Sequence, residues 1–143
     1  MNIWDQRVHD AQLCADRFVG KPLDFKQYDC VRQARYVMHL RKQSTSILKG
    51  VKWGSLTGAY KAMRKLGHTS LDQGVDAAGL LVIPFAMIRP ADLLSLPSDD
   101  RFGCSIAVYL GDHYVSGYQD GAEVGVTIRL ADDFVPERVW MVP

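Results

Sequence analysis

No apolar run in this chain is long enough to span a bilayer. The longest, residues 80–88, is interrupted by Pro84 and falls short of the ~18 residues a membrane helix needs. There is no excess of either charge, with 17 Lys and Arg against 16 Asp and Glu for a formal +1. A near-neutral chain gains little from counterion release, so general nucleic-acid binding is not expected. Cysteine is sparse and odd in number (Cys14, Cys30, Cys104), with no C-x-x-C pair. That argues against a disulfide framework and against a metal site. The N-terminal MNIWDQRVHD is charged and holds no signal-like apolar stretch, so a cytosolic site of synthesis and use is expected. Repeats and low-complexity tracts are missing too.

What is present suits one globular domain over residues 1–143, with 48% apolar and 23% charged residues. The first half has helical periodicity. Trp4, Val8, Ala11, Ala15 and Phe18 fall on one helix face, and Gly20 and Pro22 end that helix. A second helix is expected over residues 29–42. Cys30, Ala34, Val37 and Met38 lie on one side, and Arg32, Arg35, His39 and Lys42 on the other. The basic stripe is either a solvated face or a dock for an acidic partner. Ser55 caps a third helix carrying Leu56, Ala59, Met63 and Leu66, closed by Gly67. Ser70 to Gln73 has the form of a capping box opening a fourth.

After Pro90 the period becomes two. Strands are expected over residues 92–96, 104–110, 113–118, about 124–130 and 138–142, with Gly111-Asp112 as a hairpin turn. Residues 98–101, 121–123 and 131–133 read as loops. The apolar run 80–88 is either an extended crossing beneath the sheet or a partner-binding segment. Helices first and strands afterwards give an α+β class: N-terminal helices packed on a C-terminal antiparallel sheet of about five strands.

The stretch Gly20-Lys21-Pro22-Leu23-Asp24-Phe25-Lys26-Gln27-Tyr28-Asp29-Cys30 carries the most information. It resembles the G-x-P-[apolar]-x-[aromatic]-G-x-x-D-C entry of a phage-tail branch of the NlpC/P60 superfamily of papain-like cysteine peptidases. Such an entry delivers a thiol to a helix N-terminus, where free amides and the dipole favour thiolate. The segment from Arg89 to Leu94 resembles the P-G-D-L-V opening of that superfamily's sheet, and Ser105 to Gly111 its H-V-G-I-Y-L-G strand. The ending Trp140-Met141-Val142-Pro143 is similar to that of the tail branch. The resemblance implies Cys30 as the nucleophile position, with Gly20, Pro22, Phe25, Asp29 and Trp140 as motif or structural residues.

The departures bear on function. Ser105 stands at the position of the general-base histidine, and Ser116 at the third polar position. A serine hydroxyl does not take a proton from a thiol at neutral pH. Lys26 and Ala91 stand where the pattern has glycine, so those loop backbones are expected to differ. Among other histidines, His39 lies about 180° round the second helix and ~13 Å along it from Cys30. His113 is roughly 26 Å along a strand from Ser105, and His9 lies among polar neighbours on the first helix. His68 is not excluded by local geometry. A positioned base is worth ~10²–10⁴ in rate and protonates the leaving amine.

The expectation is therefore a structural component of a phage or phage-like tail tip or hub. It would be a degenerate NlpC/P60-like domain meeting hub and distal tail subunits and further copies of itself. It would be assembled in the host cytoplasm and located in the virion tail, without cofactor, nucleic acid or membrane. In this reading Cys30 is a small buried residue at a helix start, Cys14 and Cys104 belong to the core, and Asp29 is a cap. The alternative is an active peptidase or amidase that cleaves peptidoglycan stem peptides, with a base from His68 or a neighbouring subunit. A third reading is a bacterial or toxin-associated binding module on the same scaffold.

Overall fold

The computed structural model describes residues 1–44, 46–118 and 123–143. Four helices, α1 (Ile3–Phe18), α2 (Cys30–Leu40), α3 (Leu56–Lys65) and α4 (Leu71–Asp76), precede the sheet. The strands are β1 (Leu81–Val82), β2 (Leu93–Pro97), β3 (Cys104–Gly111), β4 (Tyr114–Gly117), β5 (Val126–Arg129) and β6 (Val139–Met141). They form one antiparallel sheet in the order β1-β6-β2-β3-β4-β5. The α+β class is as expected, with six strands in place of about five.

The extra strand comes from the 80–88 run. Leu81 and Val82 pair with Met141 and Trp140 at the sheet edge, both half-exposed, and a 3-10 turn (Phe85–Met87) follows. Ile83, Phe85 and Ile88 then cover one sheet face, packing with Leu94, Ala107, Tyr109 and Val139. The helices cover the other face, where Ala11, Cys14, Phe18, Ala34, Val37 and Met38 meet Ile106 and Val108. Because β3 is covered on both sides, its alternation sorts side chains between two apolar layers rather than between core and solvent.

The buried face of α1 is rotated from the expected one. Arg7, Asp10, Ala11, Cys14, Ala15 and Phe18 face inward, while Trp4 is 54% and Val8 40% exposed. The cause is a buried charge pair. Arg7 donates to Asp92 Oδ1 and to the Val142 carbonyl, each at 2.8 Å, with the two side chains 1% and 0% exposed. Asp92 also accepts from the Val142 and Arg89 amides. Desolvation pulls the Arg7 guanidinium down to about 10. Apolar periodicity does not register such a clamp.

Other boundaries moved for local reasons. Leu56 and Leu66 on α3 are exposed, and Ala59, Ala62 and Met63 carry its packing. Ser55 caps α3 through the Gly58 amide, whereas Ser70 makes no side-chain cap bond to α4. There Gln73 reaches back to the Thr69 amide instead. The β3–β4 turn is Asp112-His113, one residue later than expected, with φ of +52° and +66°. Both central residues are left-handed, as a hairpin turn of this hand needs, and the His113 amide donates to Tyr109 Oη. The expected loops at 98–101 and 131–133 hold, while residues 121 and 122 lie outside the described ones.

Candidate functional site

The segment from Gly20 to Cys30 is held from both ends. Gly20 (φ +82°) donates to the Gly125 carbonyl at 2.9 Å, Gly125 donates back to Lys21 at 3.0 Å, and the Leu23 amide donates to the Glu123 carbonyl at 2.7 Å. Pro22 forms a bridge with Val124. Asp24 and Tyr28 then exchange backbone hydrogen bonds, which closes a tight loop with Phe25 on it. Lys26 does not adopt a left-handed backbone, but Ala91 does, at φ +74°. Ala91 therefore keeps the conformation glycine favours, against the expectation from its side chain.

Asp29 is the N-cap of α2 and more than a cap. Its Oδ1 accepts from the Arg32 amide at 2.8 Å, and its Oδ2 from Trp53 Nε1 at 3.0 Å and from the Arg32 guanidinium. Arg32 also donates to the Phe25 and Trp53 carbonyls, and Arg35 to those of Ile47 and Leu48. Both guanidiniums lie against the Trp53 ring, at 4.7 and 4.9 Å from its centroid. The basic stripe read from sequence as solvated or partner-docking is thus half internal. Arg32 and Arg35 pin the 47–53 segment to α2, while His39 and Lys42 face solvent.

This framework surrounds a cleft of about 110 Å³. Cys30, Cys104, Ser105 and Tyr118 line it with Leu23, Phe25, Val31, Leu48, Trp53 and Phe102. Stacking of Phe25 and Tyr60 on Phe102, with centroids 6.4 and 4.5 Å apart, stiffens one wall. The Ser105 hydroxyl and the Ile106 amide face the Cys30 sulfur. Cys30 is half-buried in the cleft wall, not fully buried as expected, and the desolvation there still pushes its thiol up to about 12, with the Asp29 carboxylate adding to the effect. Desolvation and the neighbouring Asp29 anion outweigh the Ile106 amide and the Ser105 hydroxyl, the groups that favour thiolate, so this thiol is not activated. Ser105 has one proton, and its Oγ donates it to the Tyr118 carbonyl at 3.1 Å.

Among the described residues lining the cleft there is no histidine. His9 and His39 are exposed. His113 packs edge-on against Phe85 on the far side of the sheet, and His68 sits beside Gly74 of α4. Ser116 does not reach the cleft. It is fully buried and donates to Gln33 Oε1, while Gln33 Nε2 donates to the Ser116 carbonyl, both at 2.9 Å. Trp140 is fully buried, and its Nε1 donates to Asp76. Its role is in the core. No group of three His, Cys, Asp or Glu side chains among the described residues is placed to hold a metal ion.

Tyr118 and Cys104 were not picked out as site residues from the sequence. Tyr118 lies two positions beyond Ser116, and period-two reading would have placed it on the helix-facing side. Its hydroxyl is buried with no hydrogen-bond partner among the described residues, and burial raises its phenol. Neither it nor Cys104, also pushed up to about 12 by burial, supplies a base.

Residues 1–135 match DUF6950, a domain of unknown function, and the chain belongs to that family. No curated protein matches it.

Proposed function

We propose that this chain is a structural component of a phage or phage-like tail tip or hub, a catalytically degenerate NlpC/P60-like domain that mediates tail assembly. The observation that supports the inert half of this reading is the Cys30 environment. The thiol at the head of α2 is held protonated by burial and Asp29, and it faces Ser105 where catalysis would need an imidazole. Arg32 and Arg35 pin Trp53, which lines the cleft, and this suits a scaffold whose shape is its contribution. The partners in this reading are hub and distal tail subunits, and the location is the virion tail after assembly in the host cytoplasm. Those assignments come from the motif resemblance.

The deciding experiment is complementation of a particle lacking this chain with the Cys30→Ser variant, scored by assembled tails. Full assembly is expected. Release of soluble fragments from purified cell wall by the unmodified protein, lost in Cys30→Ala, would replace this reading with the peptidase one.

A further inference from the structure

Charge is segregated along this near-neutral chain. Nine of the 17 Lys and Arg and none of the 16 Asp and Glu fall in residues 30–71, so that segment carries +9 and the remainder −8. Some of these cations are internal, as Arg32 and Arg35 are. Lys61, Arg64 and Lys65 on α3 are exposed and make no ion pair among the described residues. Leu56 and Leu66 flank them, 51% and 38% exposed.

The complementary feature is the loop between β5 and β6. Asp132, Asp133 and Glu137 are exposed there, around Val135 at 74% exposure. Only Asp132 has an ion-pair partner among the described residues, the half-exposed Arg129 at 3.1 Å. The loop sits on the opposite layer from α3. Phe134 packs on the sheet face away from the helices, whereas Ala59, Ala62 and Met63 of α3 belong to the helix-side core. One molecule cannot bring the two together.

We propose that a second copy of this chain docks head to tail, its 131–137 loop laid on the α3 face. The acidic side chains meet Lys61, Arg64 and Lys65, and Val135 covers the exposed leucines. Because donor and acceptor patches differ, the contact is heterologous and propagates into a ring or an open chain. Nucleic acid fits this face less well, since its exposed leucines have no role there and the other layer is acidic.

Sedimentation velocity of the full chain at about 100 μM tests this, since screening acts within about one Debye length. Concentration-dependent species larger than monomer are expected at about 30 mM NaCl, with apparent association at least about tenfold weaker at about 500 mM. The triple reversal Lys61→Glu/Arg64→Glu/Lys65→Glu and the reversal Asp132→Lys/Asp133→Lys/Glu137→Lys should each be monomeric while retaining the native circular dichroism. An equimolar mixture should restore association, because the native acidic loop of the α3 variant meets the native α3 face of the loop variant; a mixture that stays monomeric overturns the proposal. Adding unmodified chain to either variant should instead give capped, shortened assemblies. A monomeric unmodified chain at low salt overturns the proposal without recourse to any variant. So does association unchanged by salt or by the reversals. A duplex oligonucleotide shifted by the unmodified monomer and not by the α3 variant would reassign that face to nucleic acid.

Discussion

Iodoacetamide, added to the folded protein between about pH 6 and pH 9, reads the state of Cys30 directly, because only the thiolate is alkylated. At pH 8 an ordinary thiol with pKa near 8.5 is about one-quarter thiolate. A thiol pushed up to about 12 is ionised in about one molecule in ten thousand. The more basic thiolate is the better nucleophile, which recovers about forty-fold. The net expectation is about fifty-fold slower alkylation of Cys30 in the folded chain than in the urea-unfolded chain, before steric cover is counted. Mass spectrometry of the tryptic peptides gives the rates site by site, with Cys14 and Cys104 as internal references because both are also held near 12. The rate at Cys30 should rise about tenfold per pH unit across the range, with no plateau. A flat, fast rate from pH 6 upward, exceeding that of the unfolded chain, would mean a thiolate paired with a cation. The argument from burial and Asp29 would then be wrong.

Three further outcomes follow from the packing. Gly125→Ala should destabilise by about 2–3 kcal/mol in urea titration, because its Cβ would stand 2.4 Å from the Phe18 carbonyl oxygen in backbone that cannot retreat without breaking the Gly20 and Lys21 hydrogen bonds. A loss under about 0.5 kcal/mol would mean that the approach is looser than described. Arg7→Met should cost up to about 3–5 kcal/mol by leaving buried Asp92 only the more distant, partly exposed Arg89 guanidinium at 3.7 Å; a change near zero by the same titration would show the clamp to be dispensable. Burial raises the folded pKa of Cys14 above its unfolded value, to about 12. Its contribution is fully present below about pH 8.5 and falls away as pH rises toward 12, by up to about 1.4 kcal/mol per pH unit. Urea midpoints at pH 8 and pH 10 should accordingly differ less in Cys14→Ala than in the unmodified chain, and equal differences would contradict the assignment.

Much of the site was legible as sequence because its logic is local. The Asp29-Cys30 step at a helix start, the cap at Ser55 and the strand bearing Ser105 follow from spacing and propensity within a few residues. The stripe of Arg32 and Arg35 misled because helical spacing reports which side a residue faces and not what packs there. Trp53, about twenty residues away in sequence, lies against both guanidiniums and covers half of that face. Tyr118 and Cys104 join Cys30 only through strand pairing and helix packing, contacts that have no short-range signature.

The division has a physical basis. The sequence by itself determined the order of the helices and of five of the six strands, because hydrophobic period, capping and turn chemistry act within a few residues. It also determined that a thiol sits at the start of a helix and that a serine, not a histidine, stands at residue 105. Only the tertiary structure decided which α1 face is buried, since Arg7, held by Asp92 and by the Val142 carbonyl near the other end of the chain, overrides the apolar pattern. Only it decided the protonation of Cys30, because the desolvation that holds the thiol neutral belongs to the assembled cleft and to no segment alone.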